Sequence, residues 1–184
     1  LGLRPGLLTA IGRDAEGEAL IAACVRLGLA TAHVHRPGHL PTDRYMAIED
    51  ADGLVAALAD AGTLEAAGNA ILAPLGDGTL GSAARPWAGT LVLDGNLAGG
   101  LLAEIAVSPL FRDADLRVVP ASPVKALRLR PLMAHPRATF HLNRAEAEVL
   151  AGRPFADAPS AAAGLLSGGA RRAVVTDGAD ACAD

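Results

Sequence analysis

The chain has 184 residues, of which 51% are hydrophobic, and a formal net charge of −4 without a dense run of lysine or arginine. This composition predicts a buried core and excludes a disordered chain. It also makes a nucleic-acid backbone a poor partner, and no stretch approaches the ~20 apolar residues of a membrane span.

The beginning of the chain predicts two short strands on either side of a helix. Residues 7–11 and 30–35 are apolar and are predicted to be buried strands. The helix between them is expected to begin after the N-cap Asp14 and to end at Gly28. Two distant cysteines match neither a metal site nor a disulfide framework, so we expect a reducing cytoplasm.

A hairpin is predicted next. The runs 44–49 and 54–59 flank an Asp-Gly turn over residues 50–53, a strong signal for an antiparallel pair. Such an insertion in an α/β pattern is often a lid or a dimer surface. A helix over residues 63–72, capped by Thr63, is expected to follow.

From residue 90 onward, strand and helix patterns alternate, which implies parallel βαβ units. We predict strands over 90–94, 117–120, 138–142 and 172–176, and helices over 97–107, 125–133 (broken by Pro131), 144–151 and 158–167. The predicted domains are an α/β core of residues 1–32 and 61–184 and a β lid of residues 33–60.

One strand ends in Asn-x-x-Glu at the start of a helix. Asn143 and Glu146 fit a capping box, in which each side chain bonds the other residue's backbone N–H. An amide and a carboxylate also suit Mg²⁺, which prefers oxygen ligands, beside nucleotide phosphates. The two interpretations are compatible, since a cap would hold the pair rigid.

Further polar residues follow other strands. Thr176 and Gly178 fit either a simple turn or the wall of a nucleotide site. Asn96 fits either a helix cap or a group facing a polar substrate, and Lys125, the chain's only lysine, is either solvated or part of the same edge. The carboxyl ends of parallel strands form crevices that bind nucleotides and phosphates.

Two common nucleotide motifs are missing from the sequence. No Gly-x-Gly-x-x-Gly follows a strand, which weakens a dinucleotide-binding interpretation. No Gly-Lys-Ser/Thr is present either, so the chain contains no P-loop.

These motifs, in this order, resemble the ribokinase-like PfkB family of carbohydrate kinases over nearly the whole chain. Residues 11–17 are similar to the family's early Gly-x-Asp-x-x-Gly segment, and the hairpin at 44–59 resembles its β lid. Residues 143–146 resemble its Asn-x-x-Glu, and residues 175–178 its nucleotide-binding turn. The resemblance implies a three-layer α/β sandwich with a mostly parallel central sheet and a small antiparallel lid.

Within the family the sequence is most similar to pseudouridine kinases. Three places carry this likeness: residues 42–48 with 57–60, residues 93–97, and the Ser-x-x-Lys at 122–125. The resemblance implies ATP-dependent phosphorylation of a ribosyl hydroxyl, with ATP and Mg²⁺ bound. It assigns the nucleotide to Asn143, Glu146, Thr176 and Gly178, with Glu146 also at the metal, and the nucleoside to Thr42, Tyr45, Asn96 and Lys125.

Two family segments are not found in the sequence. The sugar-gripping Gly-Gly-x-x-x-Asp is expected before Leu1, and the Gly-Ala-Gly-Asp that carries the base is expected beyond Asp184. We therefore expect a chain that is incomplete at both ends and inactive alone. Two alternatives stay open: another PfkB kinase acting on a sugar or a different nucleoside, and a non-catalytic nucleotide-binding relative that dimerises through the lid strands.

Overall fold

The structure, a computed structural model, describes residues 2–51 and 53–184. It divides into two units, Leu1–Pro74 and Leu75–Asp184, and each is described by itself. In chain order the elements of the first unit are α1 (Ala15–Arg26), β1 (Arg44–Asp50), β2 (Gly53–Asp60), α2 (Gly62–Ala67) and a 3-10 turn (Gly68–Leu72). The short helix α3 (Ala73–Gly76) spans the boundary between the units in sequence.

The second unit alternates strands with helices. Its elements are β3 (Thr90–Asp94), α4 (Gly99–Val107), a 3-10 turn (Pro109–Phe111), β4 (Asp115–Val119), α5 (Pro123–Ala126), a longer 3-10 segment (Leu127–Ala134), β5 (Ala138–Asn143), α6 (Arg144–Ala151), α7 (Ala158–Ser167) and β6 (Arg172–Thr176).

The strands predicted over residues 7–11 and 30–35 are not continuous. The two segments run parallel but meet only at isolated bridges, Gly6 with Ala30 and Ala10 with His35. The second segment has one more residue between its bridges, and a turn closed by Val34 N donating to Thr31 O at 3.1 Å absorbs it. A regular ladder cannot pass through this turn, so the prediction of two regular strands is wrong.

The predicted hairpin is confirmed. Strands β1 and β2 are antiparallel, from Arg44 opposite Asp60 to Asp50 opposite Gly53. Asp52, inside the predicted turn, lies outside the described residues. Every residue of β1 is exposed, and the exposed hydrophobic side chains of the hairpin include Tyr45, Met46, Ile48 and Leu58. A two-stranded hairpin has little stability of its own, so its anchoring matters.

The predicted cap of the helix after the hairpin is wrong. Helix α2 starts one residue before the predicted range 63–72 and is shorter, and the hydroxyl of Thr63 donates to the Pro41 carbonyl at 2.5 Å. The carboxylate of Asp43 accepts hydrogen bonds from Thr63 N at 2.8 Å and from Leu64 N at 3.0 Å. Gly62 N donates to Asp60 Oδ1 at 3.3 Å, so Asp43 satisfies the next two backbone donors of α2, a role that residues distant in sequence can take.

A four-stranded parallel sheet in the order β3-β4-β5-β6 forms the centre of the second unit. This confirms the predicted α/β class. Strand β4 begins at Asp115, two residues before the predicted start, because it already pairs there with Thr90 of β3. The segment predicted as a broken helix is α5 followed by the 3-10 segment around Pro131, which lacks the N–H that an α-helix needs.

The core of the second unit lies between this sheet and the helices. Its fully buried side chains include Leu116, Val118 and Phe140 from the strands and Leu102, Ile105, Leu129, Leu132 and Leu165 from helical segments. Burial of each such side chain contributes about 1.5–3 kcal/mol. Because the core is packed, it holds the strands in place, and their carboxyl ends are therefore held in place as well. Within the described residues, no helix has the length and apolarity that crossing a membrane requires.

Candidate functional site

Two predicted residues lie side by side where β5 and β6 end. Asn143 is the last residue of β5, Thr176 is the last residue of β6, and the two are partners in the parallel register. Both are exposed, and the Thr176 hydroxyl lies 3.5 Å from the Leu142 carbonyl oxygen. The two side chains therefore share one end of the sheet, as the strand pattern predicts.

The predicted capping box is present at the start of α6. Asn143 Oδ1 accepts a hydrogen bond from Glu146 N, and Glu146 Oε2 accepts one from Asn143 N, both at 2.9 Å. Only 9% of Glu146 is exposed. The reciprocal bonds fix both side chains against the helix, so the interpretation as a cap is confirmed.

A cleft of about 480 Å³ opens at the same end of the sheet, and we call it the strand-end cleft. It is lined by residues 143–145, Glu148 and residues 176–178. Gly178 has φ 58°, a left-handed conformation that glycine adopts without strain. The cleft thus brings Asn143, Thr176 and Gly178 together, whereas Glu146 is not among its lining residues.

An arginine that the sequence analysis did not single out lies across this cleft. Arg144 Nε donates to Asp177 Oδ2 at 2.7 Å, and Nη1 donates to Glu148 Oε1 and to the Phe155 carbonyl, each at 3.2 Å. The hydrogen bond that Arg144 donates to Asp177, together with the negative charge of that carboxylate, raises the pKa of the Arg144 guanidinium. A signal was available: opposite charges directly follow the polar residues that end two neighbouring strands.

The other two predicted residues of the second unit form a separate chain of hydrogen bonds at the ends of β3 and β4. Asp94 accepts from Asn96 N at 2.5 Å and from Asn96 Nδ2 at 2.9 Å. Lys125 Nζ donates to Asn96 Oδ1, so the amide links a carboxylate to an ammonium group. All three side chains are half-buried. Asn96 and Lys125 are thus brought together, but neither lines the strand-end cleft.

Thr42 and Tyr45 belong to the first unit. The carboxylate of Asp14, which caps α1, accepts hydrogen bonds from Thr42 N at 2.8 Å and from the Thr42 hydroxyl at 2.5 Å. These bonds, with one from Gly17 N, lower the pKa of Asp14 to about 2. Thr42 is 6% exposed and its hydroxyl hydrogen is used within the chain, whereas Tyr45 is 67% exposed on β1. Their assignment to a nucleoside stays a prediction.

The fit of Mg²⁺ depends on how many oxygen ligands are available. No group of three or more metal-ligating side chains is found in the described part of the chain. Oε2 of Glu146 accepts the hydrogen bond of the cap, so only Oε1 remains as a ligand for an ion. Magnesium commonly takes one or two carboxylates and completes its shell with water and substrate phosphates. The residues therefore fit an ion that arrives with a polyphosphate.

Comparison with solved structures shows which fold this is. A carbohydrate kinase from Agrobacterium tumefaciens matches with a TM-score of 0.79 at 25% identity, covering 99% of this chain and 56% of its own. Adenosine kinase from Schistosoma mansoni in complex with 2-fluoroadenosine matches with a TM-score of 0.74 at 14% identity, covering 97% of this chain and 56% of its own. Ribokinase from Arabidopsis thaliana complexed with ribose and ATP matches with a TM-score of 0.66 at 14% identity, covering 97% and 57%.

The two weaker identities show the fold alone, and the ribokinase-like fold predicted from the motifs is confirmed. This chain spans a little over half the length of these structures. Comparison with curated protein sequences gives no match. The sequence model of the pfkB family carbohydrate kinases, however, matches residues 1–183. Because that match runs through both units, the chain belongs to the pfkB family of carbohydrate kinases.

Proposed function

We propose that the protein carrying this chain is an ATP-dependent kinase that phosphorylates a ribosyl hydroxyl of a nucleoside, with pseudouridine as the leading substrate and pseudouridine 5′-phosphate as product. The observation that carries the proposal is the strand-end cleft, in which Asn143, Thr176 and Gly178 meet beside a rigid Glu146. Phosphoryl transfer requires positioning and charge stabilisation more than covalent chemistry, and rigid strand ends suit that task.

Each residue of the cleft has a separate task in this proposal. The Thr176 hydroxyl and the Gly178 backbone contact the nucleotide, because a glycine lets phosphate approach the main chain closely. Asn143 and Glu146 orient the metal side of the site through the capping box. Mg²⁺, when bound with ATP, offsets the charge of the phosphate oxygens.

The acceptor nucleoside is assigned to Thr42, Tyr45, Asn96 and Lys125. Asn96 and Lys125 offer a fixed amide and an ammonium donor, which suit hydroxyl and carbonyl groups. The lid over residues 33–60 would exclude water during transfer and limit ATP hydrolysis. The exposed edges and apolar side chains of the hairpin also support a homodimer through the lid strands. The free thiols of Cys24 and Cys182 fit a reducing cytoplasm.

Two other functions compete with this one. The first is a PfkB kinase for another nucleoside or a free sugar, which matches the ligands of two structural neighbours, 2-fluoroadenosine in one and ribose with ATP in the other. The second is a non-catalytic relative that binds nucleotide and associates through the hairpin. The exposed apolar side chains of β1 support the association through the hairpin in this alternative, as they do in the kinase.

A substrate panel tests the proposal. ATP consumption by the protein carrying this chain is measured with pseudouridine, uridine, adenosine, ribose and fructose at equal concentrations. We expect the highest kcat/KM for pseudouridine. A clear preference for ribose, fructose or adenosine would replace pseudouridine as substrate but keep the kinase. Absence of turnover with every acceptor, in a protein that binds ATP, would favour the non-catalytic alternative.

A further inference from the structure

The strand-end cleft carries an unfavourable charge balance for the ligand proposed above. Its charged lining residues in the described part of the chain are one cation, Arg144, and two carboxylates, Glu148 and Asp177. A polyphosphate carries several negative charges, and carboxylates at short range repel it. Binding therefore requires either that the phosphates avoid this cleft or that the arginine changes partner.

The geometry of Arg144 leaves part of its guanidinium available. Asp177 takes only Nε, while Glu148 and the Phe155 carbonyl take Nη1. No hydrogen bond from Nη2 is found among the described residues. The edge formed by Nε and Nη2, which binds carboxylate or phosphate with two parallel bonds, is thus half used. The side chain is 38% exposed, so a ligand in the cleft can reach this edge.

The position of Arg144 in its helix is unfavourable for a positive charge. It is the first residue of α6, where the partial positive charge of a helix N-terminus repels a cation. Its two carboxylate partners, of which Asp177 is 22% and Glu148 is 28% exposed, offset that repulsion. Nη1 is anchored independently of Asp177, so loss of the bond from Nε to Asp177 would leave the guanidinium in place.

We propose that Arg144 is a phosphate ligand restrained by Asp177, and that its Nε–Nη2 edge passes from the Asp177 carboxylate to a nucleotide phosphate when the nucleotide binds. This inference rests on the proposed function for the identity of the ligand. Two phosphate oxygens can use Nε and Nη2 together, whereas Asp177 uses Nε alone. Asp177 then acts as a competitor for Nε, which favours ligands that carry a phosphate over a nucleoside without one.

The alternative is a brace, in which the ion pair only joins the turn after β6 to the start of α6. The two roles predict opposite results for one substitution. If Arg144 binds phosphate, removal of the competing charge in Asp177→Asn strengthens nucleotide binding and Arg144→Gln weakens it. If the pair is a brace, both substitutions weaken binding or leave it unchanged.

Equilibrium binding of ATP and of inorganic tripolyphosphate, measured by calorimetry without an acceptor, separates these roles. We expect Asp177→Asn to lower Kd about 3–10-fold and Arg144→Gln to raise it about 10-fold or more, as for a charge-assisted hydrogen bond. Arg144→Lys, which keeps the charge but loses the fork, should lie between Arg144→Gln and the wild type. Adenosine binding should change little in any variant.

Two further variants control for simple charge removal. Glu148→Gln removes one negative charge from the same cleft, as Asp177→Asn does. Because Glu148 accepts from Nη1 and not from the Nε–Nη2 edge, Glu148→Gln should lower Kd less than Asp177→Asn does. In the double variant Arg144→Gln with Asp177→Asn, the gain from Asp177→Asn should disappear. Persistence of that gain without Arg144 would overturn the proposal in favour of long-range electrostatics.

The outcomes also separate this inference from the proposed function. ATP binding that is insensitive to Arg144→Gln overturns the inference and leaves the kinase assignment standing. The expected binding pattern in a protein that phosphorylates no acceptor supports the inference and overturns the kinase. Failure of the wild-type protein to bind either polyphosphate overturns both.

Discussion

The carboxylate of Asp14 joins the start of α1 to Thr42, which lies 28 residues further along the chain and two residues before the lid hairpin begins. Gly17 is required beside this contact, because a Cβ there would lie 2.6 Å from the Thr42 hydroxyl oxygen. The next residue, Asp43, accepts two hydrogen bonds from the first turn of α2, the helix that follows the hairpin. Two adjacent residues, Thr42 and Asp43, therefore connect the start of the hairpin to helices α1 and α2.

Acid unfolding tests the Asp14 contact. Hydrogen bonds from Thr42 and Gly17 lower the pKa of Asp14 from 3.8 to about 2 in the folded protein. The unfolded chain thus takes up a proton before the folded one, and the stabilisation present above pH 3.8 is lost as pH falls through about 2. We expect Asp14→Asn to unfold more easily than the wild type at pH 6, with a difference that shrinks toward pH 2.

Denaturant unfolding at a series of pH values measures that difference. Asp113→Asn removes an exposed carboxylate of the second unit and serves as the matched control for charge. A constant difference between Asp14→Asn and the wild type from pH 6 to pH 2 would show that the contact does not depend on the charge of Asp14.

Much of the second unit could be predicted from sequence because its local patterns agree with its packing. The strands over 90–94 and 172–176 occur at their predicted bounds, and so do the helices over 144–151 and 158–167. Apolar runs separated by helical stripes leave few alternatives for a parallel sheet. The capping box at Asn143 was also predictable, since its two members are three residues apart.

Contacts between distant residues could not be predicted in the same way. The Asp14 pair with Thr42 and the chain from Lys125 to Asn96 span 28 and 29 residues, and their formation depends on the folded path of the backbone. The sequence predicts Thr63 as the cap of α2, but the backbone N–H of Thr63 donates to Asp43, which is 20 residues away. Local propensity carries no information on which distant carboxylate arrives there.

A second pH dependence is expected from His135. Burial lowers the pKa of this imidazole, which is 4% exposed, below its usual 6.5. The unfolded chain therefore binds a proton near pH 6.5 while the folded protein does not, and stability falls as pH drops from about 6.5 toward the folded pKa. The slope from this group is at most about 1.4 kcal/mol per pH unit. His135→Gln should flatten the profile of unfolding free energy between pH 7 and 5.

The matched control for loss of an imidazole is His39→Gln, which replaces an exposed histidine. An unchanged slope between pH 7 and 5 in His135→Gln would contradict the assignment to this side chain.

Ala121 is a strained position between β4 and α5. Its φ of 67° is in the left-handed region, where a residue with a Cβ carries a cost of about 1–2 kcal/mol. Ala121→Gly should stabilise the protein by about 0.5–1 kcal/mol, because relief of strain exceeds the added entropy of the unfolded chain. Chemical denaturation measures the change. Ala163→Gly, at an exposed position inside α7, should instead destabilise by about 1 kcal/mol. Destabilisation by both substitutions would argue against strain at Ala121.

The two roles of Glu146 can be separated because glutamine also completes a capping box. Glu146→Gln should leave Tm nearly unchanged, while kcat with ATP and the preferred acceptor falls about 100-fold, as when a charge-stabilising group is lost. The second capping box, between Asp157 and Ser160 at the start of α7, gives the control. Asp157→Ala should lower Tm and leave kcat close to that of the wild type. Equal kcat values for Glu146→Gln and the wild type would show that Glu146 acts only as a helix cap.

The last prediction concerns Lys125, whose ammonium group fixes the orientation of the Asn96 amide. With Lys125 present, Asn96 Oδ1 is occupied and Nδ2 donates to Asp94. Lys125→Met removes the ammonium donor but keeps much of the aliphatic length, so the amide can rotate away from an acceptor hydroxyl. We expect the KM for the acceptor to rise about 10-fold, as for one charged hydrogen bond, with the KM for ATP within about twofold. Arg112→Met removes an exposed positive charge of the same unit and should change neither KM. A rise in the KM for ATP alone would place Lys125 with the nucleotide, because an ammonium group that orients only the acceptor has no contact through which to weaken ATP binding.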